Sequence, residues 1–327
     1  MTSMPVDPAI SVVVATHNRR HLLARLVRAL ERQDNAPAYE VVVVDDASTD
    51  GTAEELERLR TTAQIPLTHV RLDANRGPAT ARNTGWKRAG APLVAFTDDD
   101  CAPQPGWLAA LARRLGEDDV VQGRTLPDPD QSTNRNAFSH TVRVEDEWGF
   151  YEACNMGYRR SVLEQLGGFD ESFRRPFGED TDLAWRAKRS GASVAFEPDA
   201  LVLHDVRSQT YTEHLRDLMR REGVVLAMKR NPEMRHLCHY GVFWRPAHPS
   251  AAWAATGVAT LASARRSPWR AVAGAAMCMP YIRYRTHTFP TGRPRNQPVV
   301  IPLALLSDVI EMAVLAAASV RYHTLVL

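Results

Sequence analysis

Two short runs of β-branched apolar residues constrain the fold more than any other feature of this chain. The first, ISVVVAT, covers residues 10–16, and the second, YEVVVVD, covers residues 39–45. Neither run alternates apolar and polar positions, as a strand with one face in water would. Both therefore predict strands buried on two faces, which is the position of a strand in a parallel sheet that is covered by helices.

Helical patterns separate the predicted strands. RRHLLARLVRALERQ spaces its apolar residues by three and four positions, which is typical of an amphipathic helix. The alternation continues with helices over 52–60, GPATARNTGWKRAG and 107–115, and with strands in PLTHVRLD, PLVAFTDDD, VVQGRTL and SVAFEPDALVLHD, the last of which we interpret as two short strands ending at His204. This order predicts an α/β fold: a Rossmann-like, mostly parallel sheet flanked by helices.

Charge is unevenly distributed along the 327 residues, although the net charge is only +2. Residues 205–327 carry 16 Lys and Arg against 7 Asp and Glu, so the preceding part is net acidic. This asymmetry predicts two domains, an α/β domain over 1–205 and a basic, mainly helical C-terminal region over 206–327. We expect the second region to make acceptor, membrane or subunit contacts.

The cysteines and the N-terminal residues indicate a cytoplasmic protein. Four cysteines are scattered without CxxC or metal-knuckle spacing, which argues against a disulfide framework and against a zinc site. The opening residues MTSMPVDPAI lack the basic and apolar regions of a secretory signal. A reducing cytosol is therefore expected.

Polar residues follow three of the predicted strands at the point where each strand ends. Thr16 to Arg19 follow the first strand, Asp45 and Asp46 the second, and Asp98 to Asp100 the fourth. Ligands of open parallel sheets bind beyond the carboxyl ends of the strands, so these residues should share one edge. Carboxylates are the ligands that hard divalent cations prefer, and we predict Mg²⁺ or Mn²⁺ bound to a diphosphate. The alternative is that Asp98 to Asp100 only begin a polar turn or cap a helix.

Six segments occur in the order found in family-2 glycosyltransferases: SVVVATHNR, VVVVDDASTDGT, NRGPATARNTG, FTDDDCAPQPGWL, GGFDESF and GEDTDLAWRAKRSG. Residues 10–205 resemble that family. The resemblance implies the GT-A fold and an inverting transfer of a sugar, of the hexosyltransferase type (EC 2.4), from a nucleoside diphosphate sugar to an acceptor hydroxyl. One departure is His17, where the family commonly has an aromatic residue before the asparagine of the first loop.

The resemblance also implies roles for individual residues. Asp180 corresponds to the catalytic base of the family, and Glu179 beside it would orient the acceptor or its neighbour. The DxD motif corresponds to Asp98 and Asp100, and His204 to a histidine that completes the metal shell, so the predicted metal ligands are Asp98, Asp100 and His204 for Mn²⁺ or Mg²⁺. The predicted nucleotide-binding residues are Thr16, His17, Asn18, Arg19, Asp46, Arg82, Asp98 and Asp99, with UDP or dTDP as the expected nucleotide.

The chemistry of these residue types agrees with such roles without deciding them. Transfer requires a stabilised leaving diphosphate and a deprotonated acceptor hydroxyl, for which a metal and a carboxylate are suited. The segment FGEDTDLAWR places Glu179 and Asp180 at a loop-to-helix junction, where a simple helix cap is the alternative. Arg82 is either a diphosphate ligand or a surface ion pair, and His204 is either a metal ligand or a structural histidine.

Three other functions fit the sequence less well. A nicotinamide-dependent dehydrogenase needs GxGxxG after the first strand, and ATHNRRHLL contains no glycine. A magnesium phosphatase needs a nucleophilic Asp after the first strand, where this chain has Thr16, His17 and Asn18. A non-catalytic protein that binds nucleotide sugars or glycans on the same fold is the main alternative. We expect no nucleic-acid partner.

An apolar run near the C-terminus is long enough to cross a bilayer. Residues 299–320 contain Asp308 and Glu311 near the middle, and each would be costly there if charged. Because the two acids share one helix face, we interpret this helix as packed on protein, at a homodimer contact, or lying peripherally on the inner face of the plasma membrane. Seven arginines between residues 265 and 295 would face anionic headgroups.

Acceptor specificity is expected in residues 124–160 and in the C-terminal region, for which the resemblance gives no guidance. Trp148, Phe150 and Tyr151 are able to stack on a sugar ring, but we interpret all three as core residues.

Overall fold

The computed structural model describes residues 7–173, 175–264, 267–288 and 297–327. The chain forms two compact units. The first comprises residues up to 134 together with 140–207, and the second comprises 135–139 and 208–327. Each unit is described by itself below.

One eight-stranded sheet organises the first unit. Its strands are β1 (Ile10–Thr16), β2 (Tyr39–Asp45), β3 (Leu67–Arg71), β4 (Leu93–Asp98), β5 (Cys101–Pro103), β6 (Val120–Pro127), β7 (Asn155–Arg159) and β8 (Val194–His204). They lie in the order β3-β2-β1-β4-β7-β6-β8-β5. Strands β1 to β4 pair in parallel, as the β-branched runs predict, and the side chains of Val12 to Val14 and Val41 to Val44 are buried.

Helices alternate with the strands, most of them in the predicted places. In the first unit these are α1 (Arg20–Glu31), α2 (Thr52–Thr62), α3 (Pro78–Arg88), α4 (Trp107–Leu115), α5 (Arg160–Leu166) and α6 (Glu179–Arg189). The leucines of α1 and α4 join the valines of the sheet in one apolar core. Left-handed glycines precede three of the helices, at Gly51, Gly106 and Gly178, so these turns need a residue without a Cβ.

The sheet differs from the prediction in three places. Strands β5 and β7, and helix α5, are not predicted from the sequence, and β7 runs antiparallel to β4 and to β6. The short segment NMGYR has no alternation to reveal it, since four of its five residues are buried. SVAFEPDALVLHD forms one strand, β8, instead of two, with an irregularity in its pairing to β6 between Gly123 and Thr125.

The second unit is helical, as predicted for the C-terminal region. It contains α7 (Tyr211–Leu218), α8 (Glu222–Arg230), α9 (His248–Ala262), α10 (Pro268–Thr288) and α11 (Gln297–Tyr322). Helices α9 and α10 pack closely, because Gly257 and Gly274 meet where any Cβ would collide with the facing backbone. A Cβ at position 274 would lie only 2.8 Å from the carbonyl oxygen of Gly257.

Buried ion pairs hold the two acidic residues of α11. Asp308 accepts a hydrogen bond of 2.6 Å from the hydroxyl of Tyr281 and forms an ion pair with Arg285. Glu311 lies 2.7 Å from Arg245 and 3.5 Å from Arg221. Both acids are buried against protein cations, which agrees with the interpretation of α11 as a helix packed on protein.

Helix length and composition leave a membrane contact open. Among the described residues, the helix Val299–Tyr322 is long enough and apolar enough to cross a bilayer, judged by its length and composition alone. Of the arginines expected to face headgroups, Arg265, Arg266, Arg293 and Arg295 lie outside the described residues.

Candidate active site

The ends of three neighbouring strands bring the predicted polar residues to one edge of the sheet. In the parallel register, Thr16 of β1 stands opposite Asp45 of β2, and Ala15 stands opposite Asp98 of β4. The loops that carry Asn18, Asp46 and Asp100 therefore leave the sheet side by side. This shared edge is what the positions of the polar residues predict.

Three adjacent carboxylates lie at the end of β4 and directly after it, and they contact different sets of partners. Asp98 accepts a hydrogen bond of 2.8 Å from Arg82. Asp99 is buried and accepts hydrogen bonds from the hydroxyl of Thr16 at 2.7 Å and from Arg19 at 3.0 Å. Asp100 accepts from Arg19 at 2.5 Å. Two arginines, Arg19 and Arg82, thus offset much of the mutual repulsion of these carboxylates.

The pKa values of two of these aspartates move in opposite directions. Burial raises the pKa of Asp99 to about 7, against the attraction of Arg19. Burial would also raise the pKa of Asp100, but the electrostatic effects of His204 and Arg19 outweigh burial and lower the pKa of that carboxyl. Asp100 is therefore the aspartate that these neighbours keep ionised.

The first two loops of the site are joined by hydrogen bonds. His17 donates from Nδ1 to the carbonyl oxygen of Asp46 at 2.7 Å, which leaves Nε2 to accept from the amide of Asn18 at 3.0 Å. The side chain of Asn18 in turn accepts from the backbone of Thr49 at 2.7 Å. Asn18 itself adopts a positive φ of 54°, a strained conformation that marks many functional loops.

Asp46 has a structural task that the sequence does not reveal. Its two carboxylate oxygens accept hydrogen bonds from the backbone of Arg76 and Gly77, at 2.7 and 2.8 Å. The carboxylate thereby holds the turn that leads into α3. The role of Asp46 in binding the nucleotide stays a prediction, as do those of Thr16, His17, Asn18 and Arg19.

Arg82 links the end of β4 to the start of α6. Its guanidinium donates to Asp98 and to Glu179, each at 2.8 Å, and the side chain is buried. Burial opposes its charge, but the carboxylates of Asp98 and Glu179 raise the pKa of Arg82 above its ordinary value. Of the two alternatives for Arg82, a surface ion pair is excluded by this burial. Contact with a diphosphate stays a prediction.

Glu179 and Asp180 occupy the first turn of α6, and their environments differ. Glu179 is buried, and both of its carboxylate oxygens accept a hydrogen bond of 2.8 Å. One comes from Arg82 and the other from the backbone N–H of Phe177. Asp180 is partly exposed and accepts from the backbone of Ala153 at 3.1 Å and of Thr181 at 2.8 Å. Burial and the charge of Glu179 raise the pKa of Asp180 to about 8. Asp180 is therefore the carboxyl of this pair suited to exchange a proton near neutral pH.

His204 faces Asp100 in a geometry that suits a divalent cation. The ring donates from Nδ1 to the carbonyl oxygen of Asp205 at 2.9 Å, so in the neutral ring Nε2 carries a lone pair. That atom lies 3.6 Å from Oδ1 of Asp100. Two lone pairs facing each other are favourable only with a cation or a proton between them. An imidazole and a carboxylate are a donor set that accepts Mn²⁺ or Mg²⁺.

The composition of this cluster differs in part from the predicted ligand set. Among the described residues, the side chains of Asp100, Cys101 and His204 present ligand atoms within 4.8 Å of one another. Burial raises the pKa of the Cys101 thiol well above its ordinary value, so the thiolate that a metal would need is disfavoured. Asp98 stands outside the cluster and pairs with Arg82, and its role as a metal ligand stays a prediction.

Comparisons with known proteins agree with this geometry. A model of glycosyl transferase family 2 matches residues 11–167. A protein of Mycobacterium tuberculosis named pre-mycofactocin glycosyltransferase is 32% identical over 238 residues, which cover 68% of this chain and 47% of that protein. Residues 11–167 belong to glycosyltransferase family 2. The chain spans less than half the length of the mycobacterial relative.

Two further similar proteins are informative. Glycosyltransferase AglE of Haloferax volcanii is 29% identical over 209 residues, covering 61% of this chain and 68% of that protein. The mannosyltransferase PcManGT of Pyrobaculum calidifontis, solved with GDP-Man and Mn²⁺, superposes with a TM-score of 0.60 at 22% identity, covering 97% of this chain and 88% of that chain. The latter likeness shows that the family-2 domain has the GT-A fold.

We expect the raised pKa of Asp180 to make stability fall with rising pH. A carboxyl whose pKa is higher in the folded protein contributes stability below its unfolded pKa, and this contribution is lost as the pH rises through about 8. Asp180→Asn, which carries no charge at any pH, should raise the Tm at pH 8.5 by at least about 2 °C and change it less at pH 5. Thermal unfolding followed by circular dichroism across this range measures the difference.

The exposed Asp73→Asn serves as the control and should leave the Tm unchanged at both pH values. An equal shift for Asp180→Asn at pH 5 and pH 8.5 would contradict the raised pKa.

Proposed function

We propose that this protein is an inverting glycosyltransferase that moves a sugar from a nucleoside diphosphate sugar to an acceptor hydroxyl, with Asp180 as the base. The observation that carries the proposal is one network of side chains. Asp98, Arg82 and Glu179 are joined by hydrogen bonds of 2.8 Å, and Asp180 follows Glu179 directly. A group suited to proton transfer therefore lies close to the acidic edge at which a diphosphate would bind.

The reaction that fits this arrangement is a single displacement. Asp180 accepts the proton of the acceptor hydroxyl, and the acceptor oxygen attacks the anomeric carbon of the donor. The bond from that carbon to the phosphate oxygen breaks, and the diphosphate leaves with the electron pair. Because attack and departure occur on opposite sides of the carbon, the anomeric configuration inverts. Glu179, which is engaged with Arg82, would position Asp180 without exchanging the proton itself.

The proposed reaction also uses a divalent cation. Asp100 and His204, with Asp98 as a further ligand, would hold Mn²⁺ or Mg²⁺, whose chemical contribution is to stabilise negative charge on the leaving diphosphate. Arg19, already paired with Asp99 and Asp100, would keep the remaining negative charge of this edge low enough for an anionic nucleotide to approach. We expect UDP or dTDP as the nucleotide. The presence of GDP-Man in the mannosyltransferase of similar fold makes GDP the third nucleotide to test.

Asp180→Asn should lower kcat by about 10²–10⁴-fold with nearly unchanged donor affinity, because the amide keeps the size of the side chain but cannot take up a proton. Turnover is measured by release of the nucleoside diphosphate, and donor affinity by calorimetry. Asp46→Asn, the comparison variant, should weaken donor binding more than it slows turnover. NMR of the product should show an anomeric configuration opposite to that of the donor.

Near-normal turnover of Asp180→Asn would remove Asp180 as the base, and a retained configuration would remove the single displacement. The alternative of a non-catalytic binding protein predicts a different result. In that case the wild-type protein would bind nucleotide but would neither transfer the sugar nor hydrolyse the donor.

Binding of a nucleoside diphosphate should depend on a divalent cation. In calorimetric titrations with UDP, dTDP and GDP, replacing Mn²⁺ by EDTA should weaken binding of the preferred nucleotide at least about tenfold, since the uncompensated carboxylates then repel the phosphates. Asp100→Asn should abolish the difference between the two conditions, whereas the exposed Asp73→Asn should preserve it. Equal wild-type affinity with Mn²⁺ and with EDTA would rule out the metal.

We also propose that the second unit touches an anionic membrane at the cytoplasmic surface. Helices α9 and α10 expose Trp253, Trp269 and Val272, and Arg270 and Arg283 are exposed on α10. Tryptophan favours the level of the lipid headgroups, and arginine favours anionic headgroups. This surface therefore offers both attractions that peripheral binding needs.

The full-length protein should sediment with vesicles that contain phosphatidylglycerol and much less with pure phosphatidylcholine vesicles. Trp269→Ser should lower the bound fraction, because it removes an exposed interfacial anchor. Trp148→Ser is the matched control, since it removes an exposed tryptophan from the first unit. Absence of sedimentation, combined with self-association in ultracentrifugation, would favour a homodimer contact instead.

A further inference from the structure

A segment of the first unit, residues 147–154, is held tightly against α6 at successive positions. The hydroxyl of Thr181 donates to the carbonyl oxygen of Phe150 at 2.5 Å, and the indole of Trp185 donates to that of Gly149 at 3.0 Å. The backbone of Ala153 donates to Asp180 at 3.1 Å. The proposed base and this segment are therefore joined by a direct hydrogen bond and by two further bonds from α6.

Tyr151 holds the middle of this segment in place through its buried side chain. Its ring is fully buried, as expected of a core residue, and its hydroxyl contacts the carboxylate of Glu147 at 2.5 Å and the ammonium of Lys188 at 2.9 Å. Its φ of 52° lies in the left-handed region, which non-glycine residues rarely adopt. Such strain persists only where the surroundings impose it, and it is frequent in binding sites.

Trp148 departs from the interpretation of this segment as core. It is 45% exposed, although it is anchored on both sides. Its indole nitrogen donates to Glu152 at 3.1 Å, and its ring meets that of Phe150 at 81° with the centroids 4.7 Å apart. An aromatic ring that is fixed in orientation and open to solvent loses little entropy when it stacks on a ligand.

Glu152 supplies a polar group beside that ring. Its carboxylate accepts from Trp148 and from Gln122, both at 3.1 Å and both on Oε2, and burial raises its pKa. The Oε1 atom of Gln122 is buried and has no hydrogen-bond partner in the described part of the chain. Gln122 itself is only 1% exposed, so its amide holds the carboxylate of Glu152 in place and is not open to a ligand.

We infer that Trp148 and Glu152 form a binding site for a sugar ring of the acceptor, with the ring stacked on the indole and a hydroxyl bonded to the carboxylate. This inference rests on the proposed function and names the acceptor class: a glycan or glycoside. A flat apolar face with a few fixed polar groups at its edge is the combination that a pyranose ring requires. The segment adjoins Asp180 through Ala153, so a hydroxyl of the sugar bound here would give its proton to Asp180.

Saturation-transfer NMR tests the inference with defined probes. The full-length protein, with Mn²⁺ and the nucleoside diphosphate that binds best, is titrated with methyl α- and β-pyranosides of glucose, galactose and mannose. We expect at least one of them to bind. Trp148→Ala and Glu152→Gln should each weaken that pyranoside at least about fivefold, the loss expected for one stacking or charge-assisted contact. Trp148→Phe should retain part of the affinity, because it keeps an aromatic face.

Matched measurements separate this inference from the proposed function. Trp253→Ala removes an exposed tryptophan from the second unit and should leave pyranoside binding unchanged. Affinity for the nucleoside diphosphate should be the same in wild type and in Trp148→Ala, which also shows that the variant is folded. If the protein binds no nucleoside diphosphate, the proposed function is wrong, whether or not the pyranosides bind.

Two results would overturn the inference itself. One is a wild-type protein that binds nucleotide but none of the pyranosides at millimolar concentration. The other is a Trp148→Ala variant that loses affinity for UDP-glucose, GDP-mannose or another nucleotide sugar while keeping affinity for the free nucleotide. In that second case the ring would face the donor sugar and not the acceptor.

Discussion

The buried guanidinium of Arg82 is the contact on which the candidate site depends. It is the shared partner of Asp98, at the end of β4, and of Glu179, at the start of α6, although these acids are 81 residues apart in the chain. Without Arg82, the carboxylates of Asp98 and the buried Glu179 would face each other with no cation between them, which is costly for groups withdrawn from water. Arg82 therefore fixes the distance between the edge that would bind the diphosphate and the turn that carries Asp180.

The crowded aspartates after β4 show how one short stretch serves several tasks. Asp98 faces Arg82, Asp99 faces Thr16 and Arg19, and Asp100 faces Arg19 and His204. Arg19 is shared by Asp99 and Asp100, whereas Arg82 pairs with Asp98, and these two cations reduce the repulsion among the three carboxylates. We propose the metal between Asp100 and His204, whose Oδ1 and Nε2 atoms lie 3.6 Å apart.

The second unit uses buried charge differently. Asp308 and Glu311 lie in an apolar helix, and from the sequence they argue only against a location in lipid. In the structure they accept hydrogen bonds or ion pairs from Tyr281, Arg285 and Arg245, which come from α10 and from the chain before α9. Such pairs contribute to specificity of packing more than to net stability, since each charge must first lose its water.

The sequence by itself determined the strands β1 to β4, the helix over 107–115 and the edge at which the polar residues meet, because burial on two faces and helical spacing are local patterns. It gave no sign of β7, whose five residues are too few and too uniformly buried to show a period. Nor did it reveal which cation faces which aspartate, the exposure of Trp148 or the pKa of Asp180. Those properties arise from groups that are distant in the chain, and only the tertiary structure decides which of them become neighbours.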